Sequence, residues 1–190
     1  LIIGKEAKIP VIGSFLCHLP EKGEGWKEEE WVYTAERFRD LGFKYVEIDF
    51  CPFLEGEDTA KNRETVLEWY RKAPRLVKSV RGLKVIPKIL NLEFGEDFQL
   101  KMVKASIEGD ADGIVIANRI YKSEYGSAHG GLELKERNMK QIKNVRENGL
   151  DVRISATGGV YTGKDALDYM RSGAESVQLL SYIMGKWSKP

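Results

Sequence analysis

The 190-residue sequence has few cysteines, no long apolar run and no excess of either charge. Two cysteines, Cys17 and Cys51, are too few for a disulfide framework, and we interpret them as reduced thiols of a cytoplasmic protein. No stretch approaches the roughly 20 apolar residues that a membrane-spanning helix needs. The 30 basic and 29 acidic residues nearly cancel, which argues against nucleic acid and membrane surfaces as partners.

Short apolar runs alternate with amphipathic segments along the chain. Six runs rich in Val, Ile or Phe are typical of parallel strands covered on both faces, at residues 11–16, 45–50, 85–89, 113–117, 152–156 and 176–180. Five helical stripes separate them, and a glycine follows each stripe as a helix stop. In the last stripe, Ala166, Leu167 and Met170 are predicted to face the core.

Strict alternation of strand and helix leaves two architectures, an open doubly wound sheet or a closed barrel. The doubly wound dinucleotide fold would have a glycine-rich fingerprint after its first strand, where this chain has CHLPEKGEGW. The glycine-rich turn lies near the C-terminal end instead, which favours the TIM, or (β/α)8, barrel. Six strands are two fewer than that barrel has. We therefore expect residues 1–190 to form one domain that lacks two βα units at its front and a helix at its back.

The segment ATGGVYTG predicts a phosphate site. Gly158 and Gly159 have no Cβ, so a ligand could approach their backbone closely. Thr162 can cap the next helix and leave amide donors facing an anion. A second turn, at Leu180 and Ser181, follows the last strand. Paired turns after strands 7 and 8 hold phosphate in many barrels, so the ligand is predicted to be phosphorylated.

Polar and reactive residues follow several of the other predicted strands. Because the carboxyl ends of barrel strands meet at one mouth, we expect these residues to lie together. A lysine there needs an anion to offset its desolvation, supplied by a ligand or by Asp49. The residues are Asp49, Cys51, Lys88, Asn118, Arg119 and Gly131.

The order of the motifs VIGS, EIDFCP, IPKI, ANR, GGL, TGGV and GAESVQLL resembles dihydroorotate dehydrogenase, and also the pyrimidine-binding domain of dihydropyrimidine dehydrogenase. The resemblance covers residues 9–181 and corresponds to strands 3 to 8 of that family's barrel. It implies an FMN-dependent oxidoreductase of pyrimidine biosynthesis. The small-molecule substrate would be dihydroorotate or a related dihydropyrimidine, oxidised by hydride transfer to flavin.

The resemblance also implies a role for each matching residue. Cys51 is the catalytic base, whose thiolate removes the C5 proton of dihydroorotate while the C6 hydride goes to flavin N5. Lys88 contacts the flavin ring and is a source of positive charge that would lower the pKa of the cysteine. Asn118 lies near the substrate, and we expect Asp49 and Arg119, which differ from the family residues, to bind it as well. The cofactor-binding residues are Lys88, Asn118, Gly131, Gly158, Gly159, Leu180 and Ser181.

The motif around the cysteine departs from the family pattern. The family typically has NLSCPN, whereas this chain has DFCPF, one residue shorter and without either asparagine. Asp49 would repel the carboxylate of orotate, and Phe53 offers it no donor, although Arg119 could supply compensating charge. We therefore expect a substrate less anionic than dihydroorotate.

Three other functions remain open. One is a non-flavin barrel that binds a sugar or heterocycle phosphate, with Asp49 and Lys88 as acid and base. Another is a tRNA-dihydrouridine synthase, which the near-neutral charge argues against. The third is a non-catalytic partner subunit.

An unclosed sheet exposes its edges, so we expect a homo-oligomer or association with the missing barrel segment.

Overall fold

The computed structural model describes residues 10–50, 62–91 and 95–187, and one parallel sheet dominates it. The strands in chain order are β1 (Ile12–Phe15), β2 (Tyr45–Asp49), β3 (Lys84–Lys88), β4 (Ile114–Ile116), β5 (Ile120–Lys122), β6 (Ser127–His129), β7 (Ile154–Ala156) and β8 (Ser176–Val177). Six of them form the sheet in the order β1-β2-β3-β4-β7-β8, and every neighbouring pair is parallel. The prediction of six sequential parallel strands, as in part of a (β/α)8 barrel, is confirmed.

Helices connect these strands. They are α1 (Glu28–Asp40), α2 (Arg63–Lys78), α3 (Glu96–Glu108), α4 (Leu134–Glu147), α5 (Gly163–Arg171) and α6 (Ser181–Trp187). The expectation that no helix follows the last strand is wrong, because the N–H of Met184 already bonds to the carbonyl of Leu180 at 2.9 Å and closes a turn. None of the described helices is long and apolar enough to span a bilayer.

The main core lies between the sheet and the helices. Strand alternation sends Val46 and Ile48 of β2 to this core, where both are fully buried. Trp31 of α1 and Tyr70 of α2 are also fully buried, and each such side chain contributes about 1.5–3 kcal/mol by leaving water. The opposite face of β2 carries Glu47 and Asp49, so the inner face of the sheet is polar at its carboxyl end.

The orientation of α5 differs in part from the prediction, because Ala166 packs against the core but the other two residues of the predicted stripe are exposed. Leu167 is 56% exposed and Met170 is 44% exposed, whereas Tyr169 is fully buried. In this orientation Lys135 of α4 pairs with Asp165 and Asp168, and the hydroxyl of Tyr169 bonds to the carbonyl of Gly158. A side chain outside the predicted stripe therefore faces the core.

Candidate functional site

A cavity of about 300 Å³ lies at the carboxyl ends of β2, β3, β4, β7 and β8, and we call it the mouth cavity. Eight residues that the sequence assigned to ligand binding line it: Asp49, Lys88, Asn118, Arg119, Gly131, Gly158, Gly159 and Leu180. Ser181 is the first residue of α6 and directly follows Leu180, and its predicted role in cofactor binding stays a prediction. Cys51 lies outside the described residues. The structure therefore brings together most of the predicted site.

A larger cavity, of about 640 Å³, lies at the opposite end of the strands. Three of its charged lining groups already have partners: Asp112 Oδ2 lies 2.9 Å from Lys78 Nζ, and Arg153 Nε lies 4.0 Å from Glu175 Oε2. Ligands of barrel enzymes bind at the carboxyl ends of the strands. We therefore assign the candidate site to the mouth cavity.

Lys88 is held between two carboxylates. Its Nζ lies 3.3 Å from Asp49 Oδ2 and 3.6 Å from Glu47 Oε1. Strand register explains this arrangement, because Asp49 pairs directly with Lys88 across β2 and β3, and Glu47 lies two residues away on the same face. The anion that Lys88 needs is thus supplied by the protein.

The sequence did not predict Glu47 as a site residue, although its carboxylate contacts Lys88. It is only 9% exposed, and its carboxylate accepts hydrogen bonds from Ser14 Oγ at 3.4 Å and from Gln178 Nε2 at 3.1 Å. One side chain thereby joins β1, β2, β3 and the residue after β8. A charged residue between Val46 and Ile48 in an apolar strand was the available signal, since a buried charge requires partners.

Asn118 holds the end of β2. Its Nδ2 donates to Asp49 Oδ1 at 2.8 Å and to the carbonyl of Phe50 at 3.0 Å. Its Oδ1 accepts from the backbone N–H of Arg119 at 2.9 Å. Both N–H groups of the amide are therefore used within the protein, and Asn118 fixes the residue that precedes Cys51. Its contact with a cofactor or substrate remains a prediction.

Arg119 provides positive charge at the rim. Its side chain is exposed, lines the mouth cavity and makes no ion pair with any residue in the described ranges. The segment after it forms the β5–β6 hairpin, which the sequence did not predict. This hairpin returns the chain so that a Cβ on Gly130 would lie 3.4 Å from Arg119 Cγ. Arg119 is thus the available cation for an anionic ligand group.

The Gly158–Gly159 turn has consecutive positive φ values, +89° and +67°. A Cβ on Gly158 would lie 2.9 Å from Leu134 Cβ, and one on Gly159 would lie 2.8 Å from Lys135 Cβ. Both positions thus exclude a side chain because of α4, a structural reason that adds to the predicted approach of a ligand. Within the described residues, neither backbone N–H donates a hydrogen bond.

The N-terminus of α5 is capped by its own residues. Thr162 Oγ1 accepts from the N–H of Asp165, whose carboxylate accepts in turn from the N–H groups of Thr162 and Tyr161. The predicted cap is confirmed, but these two amides are not left free for an anion. Lys135 Nζ lies 2.6 Å from Asp165 and 2.8 Å from Asp168, and this contact lowers the pKa of both carboxyl groups.

The known proteins that the chain resembles share one family description. The model of a family described as dihydroorotate dehydrogenase matches residues 26–187. The dihydroorotate dehydrogenase B (NAD(+)) catalytic subunit of Methanocaldococcus jannaschii is 26% identical over 177 residues, which cover 84% of this chain and 54% of that protein. Dihydroorotate dehydrogenase A (fumarate) of Limosilactobacillus reuteri is 24% identical over 193 residues, with coverages of 90% and 59%.

Solved structures agree at the level of the fold. The ligand-free DHODH of Eimeria tenella superimposes with a TM-score of 0.62 at 16% identity, covering 87% of this chain and 53% of that one. Its complex with ferulenol gives a TM-score of 0.61 at 18% identity, with coverages of 86% and 51%. The chain therefore spans about half the length of the proteins that it matches.

Proposed function

Because the family model matches residues 26–187, the chain belongs to the dihydroorotate dehydrogenase family, and we propose that it binds FMN in the mouth cavity and oxidises dihydroorotate or a related dihydropyrimidine. The observation that carries the proposal is the convergence of Lys88, Arg119 and the Gly158–Gly159 turn on that one cavity. The charge of Arg119, which makes no ion pair within the described residues, and the amide donors of the turn suit a phosphorylated ligand, and Lys88 is a further donor at the same end of the sheet.

The residues present fit FMN. Gly158 and Gly159 line the mouth cavity, and neither backbone N–H has a partner within the described residues, so both are available to donate to a phosphate. Lys88 lies on β3 at the same end of the sheet, where its ammonium group would face the flavin ring. FMN, when bound, supplies the acceptor for a hydride.

Cys51 is the proposed proton acceptor. Asn118 bonds to the carbonyl of Phe50, so the chain enters the cysteine segment from a fixed position at the rim. A free thiol has a pKa of about 8.5, so a base at neutral pH needs nearby positive charge. Substituting Cys51 by Ala should slow flavin reduction by about 10²–10⁴, as expected for loss of a general base. Flavin reduction at the wild-type rate would exclude this role.

The charged residues at the rim of the mouth cavity affect which substrate can bind. Lys88 offsets part of the charge of Asp49, and Arg119 remains available for an anionic substrate group. The Asp49 carboxylate still disfavours a second carboxylate nearby, which supports a substrate less anionic than dihydroorotate. Asp49→Asn should therefore tighten dihydroorotate binding. Efficient oxidation of dihydroorotate by the wild type would contradict this preference.

The first experiment is flavin binding. The purified protein should show visible flavin absorbance, or quench FMN fluorescence on titration. Lys88→Met should weaken FMN binding, whereas Lys84→Met is the matched control, because Lys84 lies on the same strand but lines the opposite cavity. Equal affinity for FMN in Lys88→Met and wild type would refute the assignment of Lys88.

A non-flavin phosphate-binding enzyme is the second candidate. The direct contact of Lys88 Nζ with Asp49 Oδ2 at 3.3 Å favours it, because such a pair can exchange a proton. A colourless protein that binds inorganic phosphate but neither FMN nor riboflavin would support this candidate over the first.

A further inference from the structure

Tyr169 lies directly behind the Gly158–Gly159 turn. Its ring is fully buried, and its hydroxyl lies 2.7 Å from the carbonyl oxygen of Gly158 and 3.1 Å from that of Thr157. The carbonyl of Thr157 also accepts from Asn138 Nδ2 at 2.8 Å. Two consecutive carbonyl groups of the turn are therefore held from the side of α4 and α5.

Because the peptide group is planar, these carbonyl contacts also fix the direction of the neighbouring N–H groups. In a planar trans peptide, the C=O and the N–H point in opposite directions. The carbonyl of Thr157 shares its peptide with the N–H of Gly158, and the carbonyl of Gly158 shares its peptide with the N–H of Gly159. Holding both carbonyls toward α4 and α5 turns both N–H groups away from those helices. Both glycines line the mouth cavity, and neither N–H bonds to any described residue.

The two side chains that hold the turn, Tyr169 and Asn138, are themselves buried and hydrogen-bonded. Burial raises the pKa of Tyr169 above its ordinary value, so the hydroxyl stays protonated and remains a donor at neutral pH. Asn138 is itself fully buried, and its Oδ1 accepts from Asn91 Nδ2 at 3.0 Å. Asn91 lies just beyond β3, so the turn is tied to a neighbouring strand of the sheet as well as to α5.

We propose that Tyr169 is a positioning residue that orients the N–H groups of Gly158 and Gly159 toward an anionic ligand group in the mouth cavity. The inference rests on the proposed function in taking that group to be the phosphate of FMN. Tyr169 touches no ligand itself and acts through the carbonyls of the turn. Its effect should therefore appear for ligands with a phosphate and be absent for ligands without one.

The test compares FMN with riboflavin, which lacks the phosphate. Tyr169→Phe keeps the ring and removes the hydroxyl, and the exposed Tyr33 of α1 provides the matched control, Tyr33→Phe. One hydrogen bond to the turn corresponds to a loss of about twofold to tenfold in affinity for FMN. Riboflavin affinity should stay within about twofold of the wild type, and Tyr33→Phe should change neither. Equal losses for both flavins, or no loss for either, would overturn the proposal.

A measurement on the wild type separates this inference from the flavin proposal. In a titration with inorganic phosphate, the amide resonances of Gly158 and Gly159 should shift, and the shifts should be smaller in Tyr169→Phe. If the wild type binds neither flavin but these shifts occur, the flavin proposal fails and the role of Tyr169 stands. If FMN binds while phosphate leaves both resonances unmoved, the role of Tyr169 is refuted.

Discussion

The ion-pair cluster around Lys88 allows a prediction about which of its two carboxylates matters more for stability. Lys88→Met removes the cation, Glu47→Gln removes the inner carboxylate and Asp49→Asn removes the outer one. Two double-mutant cycles then isolate the coupling of Lys88 with each carboxylate. Lys84→Met, on the same strand, serves as the control for loss of a lysine.

Distance and burial give opposite expectations for this ranking. The separations of 3.6 Å for Glu47 and 3.3 Å for Asp49 change the Coulomb energy by only about a tenth, from a gross value of about 5 kcal/mol at an effective dielectric constant of 20. Exposure differs more, because the side chain of Glu47 is 11% exposed and that of Asp49 is 36% exposed. Solvent screening reduces the net contribution of an exposed ion pair to about 0–1 kcal/mol. Burial therefore decides, and the Glu47–Lys88 coupling should be about 1–3 kcal/mol.

Urea unfolding at neutral pH and low salt, followed by circular dichroism, measures these free energies. Lys88→Met should lower the free energy of unfolding by about 2–4 kcal/mol, because it leaves Glu47 buried without a cation. The Asp49–Lys88 coupling should stay below about 1 kcal/mol. A coupling for Asp49 equal to or larger than that for Glu47 would refute the argument from burial.

Three further predictions concern pH, thiol reactivity and assembly. Lys135 holds the pKa of Asp165 below its ordinary value, so this contact stabilises the fold above about pH 4 and is lost as the pH falls below that. In thermal unfolding, Lys135→Met should therefore be less stable than wild type at pH 7, and the difference should shrink below about pH 4. Burial raises the pKa of Cys17, so iodoacetamide at neutral pH should label Cys51 first in peptide mass mapping, and the reverse order would contradict a thiolate at Cys51. Within the described residues β1 and β8 each pair on one side only, so light scattering should show an oligomer, and a thermally stable monomer would contradict this.

Much of the site could be predicted because it lies at strand ends. Alternating strands and helices place the residues after each strand at one edge, so Asp49, Lys88 and Asn118 could be grouped before any contact was known. Thr162 could be identified as a cap from its own helix, since a capping box is complete within four residues. These features depend on local sequence and on a single topological rule.

The sequence by itself determined the alternation of elements, the parallel half-barrel and most of the residues at its mouth. Only the tertiary structure decided what those residues touch: Gln178 reaches Glu47 across 131 positions, and Tyr169, outside the predicted apolar stripe, supports the glycine turn. Periodicity determines which residues share a face of one element. Contacts between elements depend on strand register and on helix rotation, and both are set only when distant residues, such as Lys135 and Asp168, come together.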